Sequence, residues 1–456
     1  MNKLTVRKRL FNFTMAFLIL AIETGIAAYV WVNYYNTELP KAYYFWGHIF
    51  ISAVYFAVLT LVSIMYGGLK IGSYRMIELL FSQGFSTLAT DIVFYAIIVL
   101  LAYHFPTPVP LIIAMCLQGI LIGVWILLAT YCYRAMFPPT DLLIIYGGNA
   151  EPLENKVATR RHQFKVGEAI SADEPLEEIS EALKRHEAVI LWDIKADRRN
   201  KIFKLCYENS VEIYISPKIT DIVLKGAANL HFFDTPLLLI KSDPIDPEQQ
   251  LIKRVFDFLF ALILIVIASP FMLITAVCVK CYDGGSIIYK QIRCTQGGRE
   301  FYIYKFRSMI EEAEGDGIAR LAAKNDDRIT PVGKIIRRTR LDELPQLFNV
   351  LKGDMSFVGP RPERPELIAE YKESMPEFVY RTKVKAGITG YAQIYGKYNT
   401  LPYDKLKLDL FYIENFSVWL DLKLIILTVK TLFKFDSTEG VGQGMITPIT
   451  EEEDER

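Results

Sequence analysis

The sequence has little cysteine, and its C-terminal region has no histidine. Six cysteines among 456 residues are too few for a disulfide framework. Cys278 and Cys281 form one C-x-x-C pair, but no second pair or histidine follows at zinc-ligand spacing, so we expect packed, reduced thiols. All five histidines precede residue 232. Catalysis beyond that point must therefore use carboxylates, cations and metal ions, which excludes Ser-His-Asp and Cys-His arrangements there.

Neither sign of charge is in excess, since the chain has 51 Lys and Arg and 51 Asp and Glu. A protein with no basic excess is a poor candidate for binding a nucleic-acid duplex. Apolar residues are abundant instead, at 52% of the chain with 26 Tyr and 28 Phe, and the mean hydropathy is +0.23. This composition indicates a membrane protein, and the length suffices for two or three domains.

The apolar residues are concentrated near the N-terminus. Four runs lie at about Leu10–Val32, Trp46–Tyr66, Phe85–Tyr103 and Leu111–Tyr133. Each has roughly the ~20 residues that a helix needs to cross a bilayer. Basic residues cluster before the first run, between the second and third, and after the fourth: Lys3, Arg7, Lys8, Arg9, Lys70, Arg75 and Arg134. The positive-inside rule then predicts that the N-terminus, the loop between the second and third runs and the chain after Arg134 are cytoplasmic, with the loops Asn33–Phe45 and His104–Pro110 on the other side.

Two acidic residues, Glu23 and Asp91, interrupt these apolar runs. Intramembrane acids favour a transport hypothesis, because a charge in the bilayer is costly and is usually kept for a function. The alternative is a polar contact that faces the interior of the helix bundle. Two isolated acids form no evident relay, so both interpretations stay open at this point.

Between residues 139 and 247 the composition becomes that of a soluble α/β domain. Asp141–Tyr146, Ala188–Trp192 and Val211–Ile215 are predicted strands, with helical stretches between them. The Gly147-Gly148 turn lacks the G-x-G-x-x-G spacing of a dinucleotide site, so it is either a structural turn or a remnant of such a site. We expect a small Rossmann-like domain that regulates or oligomerises the protein.

A fifth apolar run, Val255–Val279, has basic residues at both ends. Ser269 and Pro270 lie near its middle, where proline removes a backbone donor and breaks or kinks a helix. The Ser hydroxyl can bond the backbone groups that this frees. We predict a re-entrant helix that enters the membrane and returns, which keeps the following domain on the cytoplasmic side; a kinked fifth span is the alternative.

The densest polar cluster surrounds an adjacent acid pair, Asp342 and Glu343. Arg337, Arg338 and Arg340 precede the pair and Pro345 follows it, which disfavours a helix through this point. Two carboxylates at a helix break can aim at one point, and with arginines they suit a phosphate–Mg²⁺ centre. A carboxylate is also a competent nucleophile toward phosphorus. The alternative is a solvated stretch of ion pairs.

The surrounding motifs decide between these alternatives. They are Tyr304-Lys-Phe-Arg-Ser-Met309, Leu341-Asp-Glu-Leu-Pro-Gln-Leu-Phe-Asn-Val-Leu-Lys-Gly-Asp-Met-Ser356, Val358-Gly-Pro-Arg-Pro-Glu363, Lys385-Ala-Gly-Ile-Thr-Gly-Tyr-Ala-Gln393, Leu408-Asp-Leu-Phe-Tyr-Ile413 and Trp419-Leu-Asp-Leu-Lys423. From about 250 to 435 the chain resembles the bacterial sugar transferase family of polyprenyl-phosphate glycosyl-1-phosphate transferases. Its front half resembles the architecture of that family's large members.

The resemblance implies a reaction and a domain plan. A hexose-1-phosphate would pass from a UDP-sugar to undecaprenyl phosphate and release UMP, which initiates surface polysaccharide such as capsule or exopolysaccharide. The implied domains are a four-helix transmembrane domain (1–138), the α/β domain (139–247), a mainly helical catalytic domain at the membrane interface (248–440) and an acidic tail (441–456). The implied location is the bacterial inner membrane, with the catalytic domain on the cytoplasmic face and a homodimer as an expectation.

The resemblance also implies site residues. Asp342 would be the nucleophile that forms an aspartyl-phosphosugar intermediate, and Glu343, with Asp342, would bind Mg²⁺. We expect Arg337 and Arg338 at the lipid phosphate or the transferred phosphoryl group. Candidates for the nucleotide phosphates and pocket are Lys305, Arg307, Arg361, Arg381, Lys383 and Asp409.

Two positions depart from the family pattern. Ala386 stands where the family usually has proline, and Thr295 stands where it usually has glycine. Both positions affect the expected shape of local loops rather than the acid pair. A membrane transporter and a non-catalytic scaffold of polysaccharide export remain the competing functions, although neither explains the basic and acidic cluster at 334–343.

Overall fold

The computed structural model describes residues 3–310, 326–396 and 400–432. The chain divides into two compact units, Met1–Ser216 and Pro217–Arg456. The predicted acidic tail at 441–456 lies outside the described residues, and the four predicted domain ranges stay predictions.

The first unit begins with four long apolar helices. They are α1 (Lys3–Val30, continued by a π-helical turn at Trp31–Tyr35), α2 (Phe45–Tyr66), α3 (Met76–Ala102) and α4 (Val109–Met136). Each is long and apolar enough to cross a membrane, as is a fifth helix later in the chain, Pro247–Asp283. A helical N-terminal region with several candidate membrane spans is therefore confirmed, and each of the four predicted runs falls largely within one of these helices.

Glu23 and Asp91 both face the interior of this helix bundle. Glu23 accepts hydrogen bonds from Gln83 Nε2 at 2.8 Å and Thr87 Oγ1 at 2.6 Å. Asp91 accepts one from the Tyr55 hydroxyl at 2.8 Å. Both acids are buried, so each makes a polar contact within the bundle, as one of the two interpretations of the sequence expected.

An α/β region follows in the same unit, as predicted. Its elements are β1 (Thr140–Tyr146), α5 (Glu151–Ala158), β2 (Phe164–Ser171), α6 (Leu176–Leu183), β3 (Ala188–Trp192), α7 (Ala196–Glu208) and β4 (Glu212–Ile215). The four strands form a parallel sheet in the order β2-β1-β3-β4. Strand β1 is buried on both faces, with Leu143 packing in one core cluster and Leu142 in the other, as is typical of a parallel sheet.

The turn after β1 requires glycine at position 147 because the backbone is crowded there. A Cβ at Gly147 would lie 2.4 Å from the carbonyl oxygen of Asp193, so only glycine lets the chain after β1 pass this close to the chain after β3. Strand β2 was not predicted from the sequence. It lies at the edge of the sheet with alternating exposure, and Gly167 interrupts its pattern.

The second unit is mainly helical. Its elements are α8 (Ile219–Lys225), β5 (Ala228–Phe232), β6 (Thr235–Leu239), α9 (Pro247–Asp283), β7 (Ile288–Cys294), β8 (Glu300–Phe306), α10 (Pro331–Arg338), α11 (Gln346–Lys352), β9 (Ser356–Val358), α12 (Pro365–Ser374), β10 (Gly387–Thr389), α13 (Tyr391–Tyr395), α14 (Pro402–Glu414) and α15 (Val418–Leu432). One apolar core joins α8, α11, α14 and α15 through Ile222, Val350, Leu410 and Leu424. The strands pair as β5-β6, β7-β8 and β9-β10.

Helix α9 contacts this unit through both of its halves. In the first half, Arg254 donates to the carbonyls of Val350 and Leu351 at 2.7 and 2.8 Å, which satisfies the open C-terminal end of α11. Asp257 accepts from the Phe357 amide at 3.0 Å. In the second half, Val279 is buried in a separate apolar cluster. The residues between keep many large apolar side chains exposed on the other face, and Pro270 lies inside a continuous helix.

The two departures from the family pattern contact each other. The Ala386 amide donates to Thr295 Oγ1 at 3.2 Å, and this hydroxyl donates to the Asp354 carbonyl at 2.8 Å. Proline at 386 would have no N–H, so alanine adds a buried donor that needs an acceptor. The hydroxyl at 295 is that acceptor, and both residues are buried.

We expect Thr295→Val to lower the free energy of unfolding by about 1–3 kcal/mol, because the Ala386 N–H loses its acceptor while buried. In an Ala386→Pro background, Thr295→Val should lower the free energy of unfolding clearly less, because the N–H of residue 386 is then absent. Chemical denaturation in detergent of the wild type, the two single variants and the double variant measures this coupling. Equal costs in both backgrounds would contradict it.

Candidate active site

The acid pair lies on a short turn between two helices. Helix α10 starts at the N-cap Thr330, whose hydroxyl accepts from the Gly333 amide at 2.9 Å. After α10, Arg340 adopts a left-handed backbone conformation with φ 58°, which costs a non-glycine residue about 1–2 kcal/mol. It redirects the chain into a 3₁₀ turn, Leu341–Glu343. The predicted break of the helix at the pair is therefore present.

Apolar side chains on both sides of the acid pair hold the turn in place. Leu341 and Leu344 flank the acids and pack in one cluster with Val279 of α9, Phe306 of β8 and Ile336 of α10. The two acids are thus one residue away from side chains that touch the long apolar helix. The two leucines enclose the two acids in the sequence, and the turn packs the leucines in the apolar cluster while Glu343 contacts cations.

Glu343 is surrounded by cations. Its Oε1 lies 3.2 Å from Lys305 Nζ, 3.2 Å from Arg361 Nη2 and 3.8 Å from Arg340 Nη1. Burial alone would raise the pKa of Glu343, but Lys305, Arg361 and Arg340 together lower it well below the ordinary value of 4.5. Glu343 is therefore a permanent anion, and all three contacts use the same oxygen.

Asp342 has the opposite environment. It is 9% exposed, and its Oδ1 accepts no hydrogen bond from any residue in the described part of the chain. Burial, followed by the charge of Glu343, raises the pKa of Asp342 to about 6, against the opposing effect of Lys305, Arg337 and Arg340. Two neighbouring carboxyl groups with pKa values driven apart by their surroundings are typical of a catalytic pair with divided roles.

The strands around the turn position the cations. Asn349 of α11 is fully buried, and its amide group bonds both the Tyr304 N–H at 3.1 Å and the Tyr302 carbonyl at 2.7 Å. These bonds fix β8 against α11, so that Lys305 reaches Glu343. A Cβ at Gly333 would lie 1.9 Å from the Ser308 carbonyl oxygen, so glycine allows α10 to approach the end of β8.

A small cleft opens beside the pair. Its lining includes Arg293, Lys305 and Arg361. Three cations in one cleft next to two carboxylates form an arrangement suited to a charged phosphate group. Burial lowers the pKa of Lys305 and lowers that of Arg293 to about 10.

The remaining residues singled out from the sequence lie in different parts of the second unit. Arg337 is near enough to Asp342 to lower its pKa, while Arg338 is exposed on the same helix. Arg307 pairs with Asp283 at the end of α9. Arg381 and Asp409 are both buried and pair at 2.8 Å, and Lys383 is exposed with its ammonium 5.9 Å from the centre of the Tyr380 ring.

Sequence reasoning missed two charged residues at this site. Arg293 lines the cleft, and Glu363 contacts Arg293, Arg381 and Lys405. Burial would raise the pKa of Glu363, but Lys405 and Arg381 lower it to about 2. Arg293 lies in the stretch Gln291-Ile-Arg293, and Glu363 ends the motif Val358-Gly-Pro-Arg-Pro-Glu363. Only the fold shows that these motifs meet.

The carboxylates fit a divalent cation such as Mg²⁺. Asp342 Oδ1 is a buried oxygen without a hydrogen-bond partner in the described residues, and the cation contacts of Glu343 use Oε1, which leaves Oε2. Mg²⁺ prefers one or two carboxylate oxygens, with substrate phosphates as its other ligands. The donor set is therefore compatible with the ion.

The fold and this centre define a class of protein: a membrane-associated chain with a carboxylate and cation site next to an apolar helix. Residues 248–435 match the model of the bacterial sugar transferase family. Over 195 residues the chain is 39% identical to the uncharacterized sugar transferase EpsL of Bacillus subtilis, covering 42% of this chain and 92% of that protein. The chain therefore belongs to the bacterial sugar transferase family.

Other relatives have more specific names. The chain is 38% identical over 256 residues to the UDP-N-acetylgalactosamine-undecaprenyl-phosphate N-acetylgalactosaminephosphotransferase of Aeromonas hydrophila, which is 54% of this chain and 59% of the relative. It is 36% identical over 236 residues to the UDP-glucose:undecaprenyl-phosphate glucose-1-phosphate transferase of Klebsiella pneumoniae, 51% of this chain and 50% of the relative. The matches thus span about half the length of these relatives.

Proposed function

We propose that this protein transfers a hexose-1-phosphate from a UDP-sugar to undecaprenyl phosphate. The observation that carries the proposal is the unequal acid pair, in which cations surround Glu343 while an Asp342 oxygen has no hydrogen-bond partner among the described residues. The names of the relatives support the class of donor and acceptor. Those names differ in the sugar, so a screen of UDP-hexoses with UMP as the readout identifies the donor.

The proposed reaction has two displacement steps at phosphorus. An oxygen of the Asp342 carboxylate attacks the phosphorus that carries the sugar, and the bond from that phosphorus to the bridging oxygen breaks. UMP leaves with the electron pair. A phosphate oxygen of undecaprenyl phosphate then attacks the aspartyl phosphate, which frees the Asp342 carboxylate and forms the lipid diphosphate sugar. Neither step needs a general base, because both nucleophiles are anions.

The cations stabilise the charge that builds up in both steps. Lys305 and Arg361 contact Glu343 and line the cleft beside the pair, where fixed positive groups lower the barrier for phosphoryl transfer. Mg²⁺, bound by Asp342 and Glu343, would neutralise the diphosphate of the donor. Arg337, near Asp342, and Arg338 remain our candidates for the lipid phosphate.

Helix α9 is proposed as the re-entrant membrane anchor of this site. Both of its halves contact the same unit, through Asp257 and through Val279, which favours both ends lying on one side of the bilayer over a full crossing. The tail of the acceptor stays in the bilayer while the donor is soluble, so a site at the interface serves both. A cytoplasmic site at the bacterial inner membrane, four N-terminal spans, a homodimer and initiation of surface polysaccharide are further parts of the proposal.

Asp342→Ala and Asp342→Asn should lower the release of UMP by about 10³-fold or more, because the attacking oxygen is lost. The full chain in lipid nanodiscs, with a UDP-sugar labelled in the transferred phosphate, gives both UMP and lipid product in one assay. Asp354→Asn is the control, since that acid pairs with Arg299 outside the cleft. Normal turnover by the Asp342 variants would reject the mechanism.

The rate of the first step should fall at acid pH with a midpoint near pH 6. Protonation of Asp342, whose pKa is raised to about 6, removes the nucleophile, so each further unit of acid lowers the rate about tenfold. The acceptor phosphate also titrates near this pH, so the UMP burst is measured without acceptor. A burst that is unchanged down to about pH 4.5 would contradict the assignment.

Cys281, near the end of α9, is a free thiol but is exposed rather than packed as the sequence led us to expect, so it can serve as a topology probe. With the other five cysteines replaced, a membrane-impermeant maleimide should label Cys281 only after spheroplasts are opened. His104→Cys in the same background should be labelled in intact spheroplasts, since its loop is predicted on the outer side. Labelling of Cys281 in intact spheroplasts would mean that α9 crosses the membrane.

A further inference from the structure

The loop from Pro360 to Glu363 is held by every one of its backbone carbonyls. The four donors, in the order of the carbonyls, are Gly387 N (2.9 Å), Arg381 Nη2 (3.0 Å), Arg293 Nη1 (3.2 Å) and Cys294 N (2.9 Å). Two of the four residues are prolines and have no N–H of their own. Carbonyl contacts are therefore the main means by which the rest of the unit fixes this loop.

The two side-chain donors are themselves held in place. Arg381 is 3% exposed and lies between Asp409 at 2.8 Å and Glu363 at 3.4 Å. Arg293 bonds Gln291 Oε1 at 2.6 Å and lies 3.7 Å from Glu363. Glu363 thus joins both guanidinium groups, so their position is set by charge pairs in a largely dehydrated setting.

The loop presents one charged side chain to the acid pair. Arg361 stands between the prolines, and its guanidinium reaches Glu343 Oε1 at 3.2 Å. We propose that Arg293 and Arg381 are positioning residues, which hold the carbonyls of Pro362 and Arg361 so that the Arg361 guanidinium stays against Glu343. This inference rests on the proposed transfer reaction and adds two residues to it.

The Arg361 side chain needs a fixed backbone because arginine is long and flexible. The Arg361 side chain is 38% exposed, and a long exposed side chain loses rotamer freedom when it is held in one geometry. A rigid backbone reduces the number of positions it can reach. Displacement of a catalytic group by about 1 Å can cost about 10²-fold in rate. A loosened loop would therefore impair transfer while leaving both carboxylates in the chain.

A direct contact with the donor is the rival role for Arg293, because this residue also lines the cleft. The two roles predict different effects of substituting Arg293 when Arg361 is also substituted. A positioning residue acts through Arg361, so its loss adds little once Arg361 is altered. A substrate contact acts independently, so its loss raises KM and multiplies with the second change.

The experiment is a double-mutant cycle on the full chain in nanodiscs, with the UMP burst as readout. Arg361→Lys should lower the burst rate by about 10²-fold, and Arg293→Gln by about 10-fold with KM nearly unchanged. The double variant should stay within about threefold of Arg361→Lys alone. Rates that multiply, or an Arg293→Gln effect confined to KM, would overturn the proposal.

Matched variants guard against general damage to the fold. Arg299→Gln makes the same chemical change at the turn between β7 and β8, where the side chain is 60% exposed and pairs with Asp354, and should keep the wild-type rate. Arg381→Lys keeps a positive charge beside Asp409 and should show the same non-additivity with Arg361→Lys. If the wild-type protein releases no UMP from any UDP-sugar, the proposed reaction itself is wrong. If the wild type is active and Arg293→Gln has the same burst rate, only the positioning role is wrong.

Discussion

Two adjacent carboxylates cannot both remain charged in a buried site unless positive groups are placed around them. Here the placement is unequal. Three cations converge on one oxygen of Glu343, while Asp342 has a buried oxygen with no hydrogen-bond partner among the described residues. One acid is therefore a fixed anion, and the other is a carboxyl group whose pKa is raised to about 6 by burial and by the charge of Glu343. The proposed chemistry depends on this difference.

Much of the second unit serves to maintain it. The left-handed conformation of Arg340 turns the pair away from the helix axis, and Asn349 fixes the strand that carries Lys305. Apolar residues on both sides of the pair pack against α9. Because α9 is also long and apolar enough to cross a membrane, the same contacts that orient the acids bring them next to the element proposed to enter the membrane. Orientation and location are thus coupled through one cluster of side chains.

The sequence predicted what depends on local pattern. Long apolar runs predicted α1 to α4 and α9, short apolar runs predicted β1, β3 and β4, and Pro345 after the acid pair predicted the break in the helix. The edge strand β2 was missed because its apolar pattern is weak. Arg293 and Glu363 were missed because their role depends on contacts between segments that lie far apart in the chain. The compensation between Thr295 and Ala386 was likewise visible only once the two residues were seen to touch.

The central claim is that Asp342 carries the phosphosugar during the reaction. The most direct test is mass spectrometry of protein that is mixed with the donor, without acceptor, and quenched in acid within milliseconds. The account predicts a peptide containing Asp342 that is heavier by one hexose phosphate, and loss of that mass when undecaprenyl phosphate is added before the quench. A peptide that never gains this mass, while UMP is released at the normal rate, would contradict the account.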